Sequence, residues 1–123
     1  GVCANEGTLA WSLRPAEGPL LEAARALAVE VPASGSYDSE IGLVGRAWIR
    51  LLARALERGA ILIADYGFPA REYYHPQRSG GTLACHYRHR VHGDPFYLPG
   101  LQDITAHVDF SALARAAAAG GLE

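Results

Sequence analysis

The sequence predicts an α/β domain built around a parallel strand that is covered on both faces. Residues 60–64 are apolar at every position, so a strand there would be hydrophobic on both sides of its pleat, the pattern of a parallel sheet. A helical stripe comes just before it, with Ile41, Val44, Trp48, Leu51, Leu52, Ala55 and Leu56 recurring on one face. Only a short turn around Gly59 separates the two, and a helix running directly into a strand is the order of an αβ unit.

The other elements follow in chain order. Residues 8–13 alternate loosely and read as a strand. Pro19 suits the first turn of a helix, where its missing N–H would have no partner anyway. Leu20, Leu21, Ala24, Leu27 and Ala28 then keep helical spacing to about Val29, and residues 32–35 form a break. Ser36, Asp38 or Ser39 is expected to cap the next helix. Its second stripe, Arg46, Arg50, Arg54 and Arg58, reads as a solvated face with cations near the helix C-terminus. Residues 68–80 read as a loop, 82–88 as extended, 89–101 as a loop rich in Gly and Pro, and 105–108 as a short extended piece. Asp109 or Ser111 caps a final helix whose inner face is expected to be Phe110, Leu113, Ala114 and Ala117, with Gly120 and Gly121 ending it.

Composition narrows the classes. The 123 residues suit one domain, and half are hydrophobic, enough for a core. A net charge of −2 speaks against nucleic acid, whose binders carry a basic excess. No apolar run approaches the ~20 residues of a membrane span. Cys3 and Cys85 are isolated thiols, which fits a reducing cytoplasm better than a disulfide scaffold. There is no Met and no Lys; all 11 basic residues are Arg. The missing start residue suggests a fragment of a longer protein.

Functional chemistry concentrates in residues 78–110, which hold four of the five histidines. Cys85, His86, His89 and His92 do not have the spacing of a metal site, because extended backbone sends His86 and His89 to opposite sides. No metal is expected. No Gly-x-Ser-x-Gly elbow or glycine-rich nucleotide fingerprint occurs. Asp65 ends the apolar strand, where ligands of open α/β sheets bind, although it also suits a cap of the following turn. Asp103, Thr105, His107 and Asp109 alternate with Ile104, Ala106, Val108 and Phe110. If this stretch is extended, the first four share one polar face, suited to proton handling or to orienting a polar substrate. The other reading is a half-exposed strand ending in a helix cap.

Three ordered motifs resemble those of the MidA-like S-adenosylmethionine-dependent methyltransferases. They are Ile61-Leu62-Ile63-Ala64-Asp65-Tyr66-Gly67, then Gly81-Thr82-Leu83-Ala84-Cys85-His86-Tyr87-Arg88-His89, then Pro99-Gly100-Leu101-Gln102-Asp103-Ile104-Thr105-Ala106-His107-Val108-Asp109-Phe110. The Ser39-Glu40-Ile41 helix start is similar too, so the likeness covers residues 36–122. It implies a class I methyltransferase fold, Rossmann-like and doubly wound, with 60–64 as its fifth strand. It also implies S-adenosylmethionine as methyl donor. A mitochondrial member methylates an arginine of a respiratory complex I subunit, so a protein arginine is the acceptor class the resemblance favours.

The family's glycine-rich E-x-G-x-G-x-G loop, its acidic residue after strand two and its N-E-x-x-D-A segment are absent; Asn5-Glu6 is followed by Gly7-Thr8. The expectation is therefore the C-terminal portion of one methyltransferase domain, lacking the N-terminal cofactor-binding strands. Residues 1–35 form its variable segment, 36–67 its helix–strand unit, and 68–123 its substrate-side loops and final helix. Such a fragment is not expected to bind S-adenosylmethionine or to act alone, and its cofactor-binding residues are unknown. It would need the missing half of the domain or a swapped oligomer. For an arginine acceptor, the expectation from side-chain chemistry is that Asp65 and Asp103 orient it and His107 serves as base or hydrogen-bond partner. Tyr66, Tyr73 and Tyr74 stack on a guanidinium, and Thr105 contributes a hydroxyl. The rival class is a non-catalytic interaction or assembly module whose polar loop docks a partner protein.

Overall fold

The computed structural model describes residues 1–27 and 35–123. Positions 28 and 29 of the first expected helix, and 32–34 of the expected break, lie outside the described residues.

A hairpin comes first. Strands β1 (Val2–Asn5) and β2 (Thr8–Trp11) pair antiparallel around a two-residue turn, with Val2 opposite Trp11. Glu6 and Gly7 both have positive φ, as a tight turn matched to strand twist requires. The sequence reading found β2 but not β1, whose polar–apolar alternation is weak. Helix α1 (Gly18–Arg25) follows, with Pro19 in its first turn as expected.

Helix α2 (Leu43–Ala55) and the final helix α4 (Phe110–Ala119) pack against each other and form the main layer. Their contact is mostly of small residues: Ala53 is buried on α2 beside Ile49, and Ala112 and Ala116 are buried on α4. This corrects both expected inner faces. On α2 the longer stripe of Val44, Trp48 and Leu51 is exposed. On α4, Ala114 is exposed and Phe110 is more than a third exposed. Small side chains let the helices approach closely, and the bulky ones point elsewhere. The expected caps of α2 are corrected as well. Gly42 occupies the N-cap with no side-chain bond, and Asp38 instead bridges to Gly80. On α4, Asp109 is the cap: its Oδ1 accepts from Ala112 N at 2.9 Å. Ser111 accepts from Ala70 N at 2.9 Å, tying α4 to the short helix α3 (Ala70–Tyr73). Arg50, Arg54 and Arg58 are exposed, as read; Arg46 is half-buried.

The strands form three small sheets. Besides the hairpin, β3 (Gly67–Phe68) pairs in parallel with β7 (Val108–Asp109). A three-stranded antiparallel sheet has the order β5 (Arg90–His92), β4 (Ala84–Tyr87), β6 (Asp103–Thr105). The strand expected at 60–64 is not formed: these residues are irregular and exposed, Leu62 almost completely, at 97%. A strand is defined by a ladder, and among the described residues no neighbour pairs with this segment. Parallel pairing begins only beyond the expected strand, at the two residues Gly67 and Phe68. The loop expected at 89–101 also needs correction. It contains β5, which returns on β4 through a turn at Arg88 and His89, both with positive φ.

Candidate functional site

The side chains that organise the site converge on Glu40. Its carboxylate accepts from Thr82 N (3.0 and 3.1 Å to the two oxygens), Leu83 N (3.1 Å), Thr82 Oγ1 (2.9 Å) and Tyr73 Oη (3.2 Å). Glu40 precedes α2, and its donors come from α3 and the approach to β4, so one carboxylate clamps three parts of the chain. Gly81, at φ +75°, has no Cβ because Glu40 fills that space. Thr82 is buried and passes the connection on: its hydroxyl accepts from His107 N at 3.0 Å.

A second connection brings the Asp65 corner to His107. Val108 N donates to Tyr66 O at 2.9 Å, and Gly67 and Phe68 continue the pairing onto Val108 and Asp109. A Cβ on Gly67 would collide with the Val108 carbonyl, so only glycine permits this approach. The His107 ring lies against Phe68, 4.9 Å between centroids, and the Arg78 guanidinium sits 4.2 Å from the Phe68 centroid. A cation over a ring face is attracted by its quadrupole, which steadies the platform beneath His107.

These connections frame a cleft of about 280 Å³ whose walls include Glu40, Trp48, Asp65, Tyr73, His107 and Asp109. Burial raises the Tyr73 phenol above its ordinary value; the Thr82 hydrogen bond opposes the rise and the Glu40 carboxylate adds to it. Burial, and then the Asp109 carboxylate, push Tyr74 up much further. Both phenols therefore stay neutral donors at physiological pH.

The expected site residues fall into two groups. Asp65, His107 and Tyr73 share the cleft. Tyr74 does not line it; it is buried, with its hydroxyl 3.5 Å from Glu40 O. Tyr66 is 84% exposed. Asp103 and Thr105 lie on β6, opposite His86 and Ala84 of β4. The expected polar face is thus divided. Asp103 and Thr105 belong to the antiparallel sheet and Asp109 to the β3–β7 pair, while His107 lies, with Ala106, in the link between the two ladders. The sequence reading assigned no role to Glu40 and took Trp48 as core. The partners of Glu40 lie some forty residues downstream, so no local spacing reveals them. Among the described residues, no three Cys, His, Asp or Glu side chains gather as a metal would require.

Residues 2–123 match the model of a family described as Putative S-adenosyl-L-methionine-dependent methyltransferase. The chain belongs to this family, the MidA-like methyltransferases. Two crystal structures of family relatives from Burkholderia thailandensis superpose with a TM-score of 0.86 at 47% identity. Each match covers 98% of this chain and 32% or 31% of the relative. One is the native structure of an uncharacterized protein, and the other is bound to S-adenosyl-homocysteine. The Rattus norvegicus protein arginine methyltransferase NDUFAF7, mitochondrial, is 46% identical over 59 residues, which are 48% of this chain and 12% of that protein. The chain thus spans about a third of the solved relatives.

The methyltransferase family depends on S-adenosylmethionine, and the described residues do not fit as its cradle. Such cofactors rest on a glycine-rich turn between a strand and a helix N-terminus. Here β7 runs straight into α4 with Asp109 as cap, and the space beside Gly81 is filled by Glu40. Among the described residues, no helix is long and apolar enough to cross a membrane.

Proposed function

We propose that this chain forms the acceptor-side part of a class I, doubly wound methyltransferase domain that transfers the methyl group of S-adenosylmethionine to a protein arginine. The observation that carries the reading is the Tyr66–Val108 hydrogen bond, which joins the Asp65 corner to the His107 segment on one cleft. The arginine acceptor draws support from the name of the NDUFAF7 relative. It also fits the chemistry of the walls, since carboxylates pair with guanidinium through charge-assisted hydrogen bonds and the half-exposed Trp48 offers a ring. Asp65 holds the acceptor nitrogen in line, and His107 accepts its hydrogen bond or its proton. Tyr66, exposed beside Asp65, takes part in binding the substrate.

The cofactor cradle comes from polypeptide outside these residues, and the strands flanking residues 60–64 come from that polypeptide or from a second copy. The exposed Ile61, Leu62 and Ile63 support this, because an unpaired apolar strand edge invites pairing. On this reading the 123 residues alone neither bind S-adenosylmethionine appreciably nor transfer methyl groups. A cytoplasmic location is in keeping with the free thiols Cys3 and Cys85.

The test is methyl transfer from labelled S-adenosylmethionine to an arginine-bearing protein, using the longer polypeptide. Asp65→Asn is expected to lower kcat about 100-fold or more, the scale of a removed proton-handling or orienting group. Unchanged turnover would remove Asp65 from the site. Asp103→Asn tests the carboxylate on β6: retained transfer leaves acceptor orientation to Asp65, and lost transfer restores Asp103 to the role.

A further inference from the structure

A second concavity lies at the β4–β5 hairpin of the antiparallel sheet. It measures about 700 Å³, and none of its lining belongs to the Asp65–His107 cleft. Its walls include Tyr87, Arg88, Arg90, His92, Asp94 and Tyr97. Tyr97 organises the aromatic part, edge-on to both His92 (5.3 Å) and Tyr87 (6.1 Å). The Arg88 guanidinium stands 5.3 Å from the Tyr87 centroid, within the range of a cation–π contact. His92 Nδ1 accepts from Asp94 N at 3.3 Å, which leaves the proton on Nε2. That Nε2 is buried and has no acceptor in the described chain. The loop behind it is fixed: Asp94 Oδ1 accepts from Phe96 N at 2.9 Å, and Gln102 Nε2 donates to Pro95 O at 2.8 Å.

We infer that this hairpin cleft is a docking site for an acidic segment of a partner protein, with Arg88 and Arg90 receiving an Asp or Glu carboxylate. A guanidinium beside a ring, with a second one on the same wall, matches a planar carboxylate, which takes two parallel N–H···O bonds. The charge balance selects among anions. Two arginines against Asp94 leave a single positive charge with the histidine neutral, which suits a monoanionic carboxylate and disfavours a phosphate dianion lodged next to Asp94. The site stands on this cleft alone and does not depend on methyl transfer.

The probe is an end-blocked glutamate peptide titrated into the protein and followed by chemical-shift changes of the hairpin amides. The peptide is expected to bind saturably, more weakly as salt rises, and about tenfold or more weaker in R88A/R90A, the loss of charge-assisted hydrogen bonds. Both arginines are exposed, so the variant is expected to fold; an unchanged circular dichroism spectrum checks this. R88K keeps the charge but loses the fork, and is expected to fall between the two. Equal affinity for wild type and R88A/R90A, equal binding of the matching glutamine peptide, or displacement by inorganic phosphate at equal concentration would each overturn the assignment.

Discussion

Thr82 binds the Glu40 carboxylate three times, through its backbone N–H to both oxygens (3.0 and 3.1 Å) and through its hydroxyl to Oε2 (2.9 Å). The same hydroxyl accepts from His107 N, so the entry to α2 and the His107 wall are two hydrogen bonds apart. Glu40→Ala strands two backbone donors, Thr82 N and Leu83 N, in a partly buried setting. The expected cost is about 3 kcal/mol, since each buried orphan costs more than a hydrogen bond contributes. Glu40→Gln keeps one acceptor oxygen and is expected to cost about half as much. Urea unfolding of both variants measures this; a Glu40→Ala midpoint equal to wild type would show that the network contributes nothing.

The buried phenols make stability sensitive to alkali. Tyr74 is raised in the folded state, by burial and then by the Asp109 carboxylate, above an ordinary value of 10.0. The sign follows from linkage. A group whose folded pKa exceeds its unfolded one contributes stability that is complete below the unfolded value and lost as pH rises through the folded value. Tyr73 is raised too and acts in the same direction. The urea midpoint is therefore expected to hold steady near neutrality and to fall once pH passes 10.0. In Tyr74→Phe that fall should be shallower. A Tyr74→Phe profile parallel to wild type would assign the alkaline loss elsewhere.

What was legible in the sequence tracks interaction range. The cap at Asp109, Pro19 in the first turn of α1 and the presence of α2 depend on neighbours within a turn or two, and the bare sequence shows them. The motifs around Asp65 and His107 were expected to lie near each other, and the Tyr66–Val108 bond joins the two segments. Glu40 was missed because its donors are distant in sequence. The face of α2 was misassigned because two apolar stripes compete on it. The bulkier one, Val44, Trp48 and Leu51, dominates a hydropathy reading, whereas close packing on α4 selects Ile49 and Ala53. Residues 60–64 have the composition of a strand, but composition cannot supply the neighbour that makes a ladder. The alternation from Asp103 to Asp109 misled for the opposite reason: the period is intact, yet the chain changes sheets midway.

The two cysteines separate by environment. Cys85 has no exposed surface, and burial, followed by the Asp94 carboxylate, raises its thiol. Cys3 is exposed on the first hairpin. The thiolate is the reactive form, so Cys85 is disfavoured by both access and ionisation. A disulfide reagent at neutral pH is expected to modify Cys3 promptly and Cys85 only on unfolding. Peptide mapping after a short pulse, with and without urea, distinguishes them. Prompt labelling of Cys85 in the native protein would mean that the β4–β5 sheet opens readily.

Gly67 is where the site is most sensitive to a single methyl group. Its backbone lies against Val108 so closely that an added Cβ meets the Val108 carbonyl oxygen and carbon. Backbone cannot swing aside as a side chain does, so Gly67→Ala must separate β3 from β7. The expected cost is about 3 kcal/mol, the upper end for overpacking. The separation also breaks the Tyr66–Val108 register that sets Asp65 beside the His107 wall. Two readouts follow. Urea unfolding reports the stability loss, and exchange of the Val108 amide reports the loss of its partner, Tyr66 O. Slow exchange at Val108 in Gly67→Ala, with an unchanged midpoint, would show that the two strands tolerate the methyl group and that the close approach does not hold the cleft together.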